Sequence, residues 1–191
     1  MKTKYFLLSL AVCGAFVSAR ADVIPTNDSQ VAEGSNFRWN YATNVTVDQM
    51  VTTGDYFTIY DFGSLVPGSN LQPANWAFSS ALLGITPGTV LPQDDANVMN
   101  LTWTYTGATP ISGQNFLGMF SVLSMTDQMR SDNFAAHATR SGGPQAGTKI
   151  DNIGTVGVPV PEMSALAPVI GVCGLGFIGF FTSLLRRRNA S

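Results

Sequence analysis

Residues 98–106 read VMNLTWTYT. Val98, Leu101, Trp103 and Tyr105 interleave with Asn100, Thr102 and Thr104. Side chains of a strand point to alternate faces, so Leu101, Trp103 and Tyr105 share one face and the two threonines the other. Aromatic and apolar residues at a period of two predict a strand with one buried side. The same alternation recurs at residues 56–62 (YFTIYDF) and 37–47 (FRWNYATNVTV). Residues 116–123 (FLGMFSVL) form a more continuous apolar run, which fits a central strand, and weaker strands are predicted at 134–139 and 149–158. Turn signals separate these runs at Thr53-Gly54-Asp55, Val66-Pro67-Gly68, Thr86-Pro87-Gly88 and Ser141-Gly142-Gly143-Pro144. No stretch keeps an apolar 3.6-residue period for long, and residues 72–83 hold at most a turn or two of helix. The pattern is all-β and predicts an antiparallel, Ig-like β-sandwich over residues 22–157. The Cys…Trp…Cys spacing of antibody domains is absent. No repeat of a solenoid kind is visible.

The chain has 191 residues, 10 Lys+Arg, 12 Asp+Glu, one His and two Cys. That length suits one domain with a real core. Both cysteines, Cys13 and Cys173, lie near the ends, so the middle folds without disulfides. Between residues 22 and 161 there are eleven acids against four bases, a net charge of −7. Such a surface favours solubility and disfavours nucleic acid.

The ends carry a different chemistry. Lys2 and Lys4 precede an apolar run at residues 5–17, and Ala19 and Ala21 place small residues at −3 and −1 before Asp22. This is the layout of a signal peptide, residues 1–21, cut by signal peptidase after Ala21. Residues 163–185 are 23 uncharged positions followed by Arg186, Arg187 and Arg188. That is long enough for one C-terminal transmembrane helix. The arginines arrest translocation and keep the tail on the cytoplasmic side, leaving the body outside.

Upstream of this span lies Val158-Pro159-Val160-Pro161-Glu162-Met163. A Pro-Glu element, an apolar span and a terminal Arg cluster, with a signal peptide at the other end, resemble the PEP-CTERM proteins of bacteria. Val160, Pro161 and Glu162 match the family's Val-Pro-Glu, and Met163 stands where a second proline is usual. The resemblance covers residues 158–188 and implies a sorting signal removed by an exosortase-like membrane enzyme on the way to the surface or the extracellular polymer matrix. The two prolines hold the approach extended, as an accessible strand for that enzyme.

Catalytic signals are sparse. His137 is the only histidine, and no G-x-S-x-G, H-E-x-x-H or P-loop pattern occurs. Asp94, Asp95 and Asn97, after Pro92, form the densest group of hard oxygens and are the candidate calcium ligands, with an acidic hairpin loop as the alternative. Residues 127–132 read as a solvated loop. Trp39, Trp76, Trp103 and Tyr105 offer either a sugar-stacking face or core packing. Sequons at Asn27, Asn44 and Asn100 matter only in a glycosylating host. The sequence thus points to an exported, non-enzymatic surface or matrix protein, structural or adhesive, with no cofactor and no catalytic residue. Its expected partners are signal peptidase, an exosortase-like enzyme, the inner membrane and extracellular polysaccharide. The alternatives are a carbohydrate- or calcium-binding module, a type I single-span membrane protein and a secreted hydrolase.

Overall fold

The alternating stretch becomes a strand buried on both faces. The computed structural model describes residues 23–161, which contain ten strands, and no helix occurs among the described residues. Three form one antiparallel sheet in the order β1 (Val23–Glu33), β2 (Asn36–Val45), β8 (Asn115–Ser124). The second sheet runs β5 (Trp76–Ala81), β6 (Met99–Tyr105), β4 (Tyr56–Phe62), β9 (Met129–Arg140), with β10 (Lys149–Pro159) on the other edge of β9. Two short strands, β3 (Gln49–Val51) and β7 (Ile111–Ser112), extend this sheet beside the end of β9. All pairings are antiparallel.

The two sheets share one core, the arrangement of a β-sandwich. Trp39, Tyr41, Phe120 and Val122 from the first sheet meet Phe57, Ile59, Trp76, Leu101 and Trp103 from the second. At its centre Phe57 stacks on Trp103 at 5.2 Å between centroids, and Phe120 meets Phe57 and Trp76 edge-on at 5.0 Å each. Rings at these separations gain beyond their buried area.

The outer face of the second sheet is covered by a strap, residues 82–98, that has no regular structure. Thr58 donates to the Ile85 carbonyl (2.7 Å), Tyr60 bonds Thr86 (2.8 Å), and Asn100 Nδ2 donates to the Leu82 carbonyl (3.0 Å). Farther along, the Gln93 N–H donates to Asn133 (2.7 Å) and the Asp95 N–H to Asp61 (2.9 Å). Thr58, Tyr60, Thr102 and Ala135 are therefore buried although they point away from the core.

Several sequence expectations change. Within residues 72–83 the regular element is strand β5, because Trp76 to Ala81 pair with Tyr105 to Asn100. Residues 116–123 form an edge strand, not a central one. Their apolar run is explained by residues 63–73, which cover that edge: the Val66 N–H bonds Leu123 O (2.9 Å), and Leu71 and Ser121 exchange two bonds of 2.8 Å. Strand β1, its edge interrupted by Pro25 and a bulge between Asn27 and Ser29, forms because β2 supplies the whole ladder.

The body also reaches beyond residue 157. Val158 and Pro159 are buried, the Val160 N–H donates to Gln128 O (2.8 Å) and the Gly63 N–H to Pro159 O (3.2 Å). The stretch is extended, but as far as Val160 it is docked instead of freely accessible. A Cβ on Gly63 would lie 2.5–2.6 Å from Pro161 N and the Val160 carbonyl. Gly63→Ala is expected to cost about 1–3 kcal/mol, the range for overpacking, and to expose residues 158–161 to limited proteolysis. Unchanged denaturation and proteolysis would refute this docking.

Asp22, the signal-peptide residues Ala19 and Ala21, Glu162, Met163, the predicted span 163–185 and Arg186–Arg188 lie outside the described residues. Among the described residues no helix is long and apolar enough to cross a membrane.

Candidate functional site

The one histidine sits opposite an aspartate. The register of β9 and β10 pairs His137 directly with Asp151, and β4 places Tyr56 on the other side of His137. His137 Nδ1 lies 2.5 Å from Asp151 Oδ1, and the Tyr56 ring stacks on the imidazole at 5.5 Å. Thr89 of the strap completes the group, donating its N–H (3.1 Å) and hydroxyl (2.6 Å) to Asp151 Oδ2. Burial pushes the Asp151 carboxyl up, but the Thr89 hydroxyl, His137 and the Thr89 N–H outweigh it and leave the pKa below the ordinary value. Burial, with Asp151 and Tyr60 nearby, pushes the Tyr56 hydroxyl up to about 12.

A carboxylate on Nδ1 orients the ring as it does in a catalytic triad. Among the described residues, however, no hydrogen bond joins Nε2 to a hydroxyl or thiol. The pair is a base with its orienter and no nucleophile beside it. Its evident role is to pin the strap. Because the folded pKa of Asp151 lies below its unfolded value of about 3.9, its contribution is full above that value and is lost as pH falls through the folded pKa. The protection factor of the Thr89 amide, taken against its intrinsic exchange rate at each pH, is therefore expected to fall below about pH 4, and Asp151→Asn should flatten that response. Protection of Thr89 that persists unchanged to pH 2 would contradict the pinning. Beside the pair, Thr89, Val90, Leu91, Asp151, Asn152 and Ile153 line a recess of about 460 Å³.

A second recess, about 470 Å³, opens between β1 and the β9–β10 pair, where Ile24, Asn27, Met129, Arg130, Ser131 and Thr155 are among the lining residues. Asn27 Nδ2 and Arg130 Nε are buried there without an acceptor. Arg130 also bonds Asp132 (2.9 Å) and lies 3.7 Å from Asp61.

Asp55 is the most fully engaged charge. One oxygen accepts from the Thr52 N–H (2.8 Å), the Thr52 hydroxyl (3.0 Å) and Thr139 (2.9 Å), and the other from Lys149 Nζ. Lys149 also donates to both hydroxyls. With its donors spent this way, the lysine has a structural task.

The predicted site residues fall apart as a ligand set. Asp94 accepts from Asn100 (2.9 Å), and Asp95 accepts from the Asn97 N–H and side chain, both at 3.0 Å. Those Asn97 bonds hold the Asp95 carboxyl below the usual value, whereas burial pushes Asp61 up. Among the described residues no group of three or more His, Cys, Asp or Glu side chains is placed to hold a metal. Trp39, Trp76, Trp103 and Tyr105 are all buried between the sheets, so they form no sugar-stacking face. Asn100 is buried too, which removes its sequon from the surface. The pairings of Thr89 with Asp151 and of Asp55 with Lys149 carried no sequence signal, since the partners lie 62 and 94 positions apart. No protein-family model, no curated protein and no solved structure matches the chain.

Proposed function

We propose that the chain is an exported bacterial surface or extracellular-matrix protein, structural or adhesive in role, with an Ig-like sandwich as its working part. Its tail, residues 158–188, serves as a PEP-CTERM-like sorting signal with Glu162, Met163, the span 163–185 and Arg186–Arg188 as its parts. The observation that carries this reading is the join: the last docked residue, Val160, stands two positions before Glu162. A complete two-sheet body thus gives way at once to the address. We take the role to be non-enzymatic, with His137 holding Asp151 and stacking on Tyr56 as a structural group.

The test is the mature C-terminus, determined by mass spectrometry in a host with a working exosortase. A terminus close to Pro161–Glu162 is expected. An intact arginine tail in the membrane fraction of that host would leave an ordinary type I anchor.

A carbohydrate-binding module is the second reading, favoured by the recess beside β1. Asn27, Arg130 and Ser131 are among its lining residues, and side chains of these types hydrogen-bond to the hydroxyls of a polysaccharide. Saturable binding weakened by Asn27→Ala would support it, and binding indifferent to that change would remove this recess from consideration.

A further inference from the structure

The chain leaves the sandwich at one end of the second sheet, and that end is apolar. The register brings together the C-terminal ends of β5, β4 and β10 and the starts of β6 and β9: Ala81 pairs with Asn100, Phe62 with Met99, and Pro159 with Met129. Five exposed apolar side chains stand beside these pairs. Leu82 and Leu83 follow β5, Met99 opens β6, Met129 opens β9, and Met125, bonded through its N–H to Ser64 O, lies beyond β4. Leu83 is 73% exposed, Met129 59% and Met125 52%. Five strands span four inter-strand gaps, so this row is about 19 Å across at about 4.8 Å per gap, with Pro161 at its β10 end.

The tether is short. Val160 is fixed to Gln128, and the apolar run begins at Met163. From Pro161 to Met163 are two residues, which extended chain covers in at most about 7 Å. We infer that this end of the sandwich rests on the lipid surface while the precursor is anchored, with Leu82, Leu83, Met99, Met125 and Met129 in the interfacial layer. The inference relies on the proposal that residues 163–185 are a membrane anchor. A span that starts three residues after the docked Val160, within about 11 Å by that extended-chain limit, leaves the body little room to stand away from the bilayer. The lipid it suits is zwitterionic. The exposed acids Asp94, Asp95 and Asp127 share this end, and its base Arg130 is already paired with Asp132.

The experiment uses the full chain with Cys13 and Cys173 replaced by serine, reconstituted in phosphatidylcholine vesicles. Single cysteines at Leu83→Cys, Met125→Cys and, in the β9–β10 loop at the opposite end, Ala146→Cys carry a fluorophore, and spin-labelled lipid is the quencher. Quenching at positions 83 and 125 is expected to exceed that at 146 several-fold, and to fall when phosphatidylglycerol is added. Equal quenching at all three positions, on a chain that floats with the vesicles, would overturn the docking alone. So would quenching that rises with phosphatidylglycerol, since it would assign the contact to a basic group. A chain that does not float with the vesicles would overturn the anchor and the docking together.

Discussion

Trp103→Ala is expected to lower the free energy of unfolding by about 3–5 kcal/mol, the range for emptying a buried aromatic site. The indole is fully buried and touches three rings, Phe57 and Phe78 at 5.2 Å and Phe120 at 5.7 Å. Those rings belong to three different strands, so the cavity would open where the two sheets meet. A domain of this size has about 5–15 kcal/mol in total, and the variant should sit near the lower limit of foldability. Trp103→Phe should cost much less. Trp103 Nε1 is buried without an acceptor, and its removal relieves a desolvation penalty that partly offsets the lost volume. Urea denaturation of the three proteins checks the order. An alanine variant as stable as its parent that lost polysaccharide binding would return Trp103 to the surface as a sugar platform.

Asp55→Ala is the second large effect, expected at about 3 kcal/mol, the low end for breaking a buried pair. The carboxylate is fully buried and holds Thr52, Thr139 and Lys149 together, which ties the turn before β4 to β9 and β10. Lys149→Met should cost less, about 1–2 kcal/mol as for the loss of a hydrogen bond to a charge. In that variant Asp55 keeps three donors from the threonines, and the Lys149 side chain is already 44% exposed. Equal losses in the two variants would show that the ion pair, and not the threonine shell, dominates.

The sequence revealed β2, β4 and β6, where burial by the opposite sheet imposes a period of two over a long run, but not β5, where Trp76 alone is fully turned into the core. Leu101, Trp103 and Tyr105 are the clearest case. It failed where burial comes from elsewhere. Pro25, Asn27 and Asp28 look like turn residues, yet β1 forms because ten registered pairs with β2 outweigh their local preference. The run at 116–123 suggested a central strand because an edge capped by a loop is as apolar as one capped by a strand. The strap is legible as a turn-rich segment at Thr86-Pro87-Gly88, but its landing points on Asp151, Asn133 and Asp61 depend on strand register. For the same reason His137 was visible as a lone residue and its aspartate was not.

The pairing of β10 with β9 has a mechanical side. Eleven registered pairs join them, and the chain leaves from the far end of that ladder, at Pro159. A pull on the tail runs along the axis of β10 and strains every rung at once, so the strand must slide before any rung is freed. Force applied across the strand at Lys149 would instead open the ladder one rung at a time. For a protein held by its C-terminal end, the last strand is thus loaded in shear, the direction in which a β-ladder yields last.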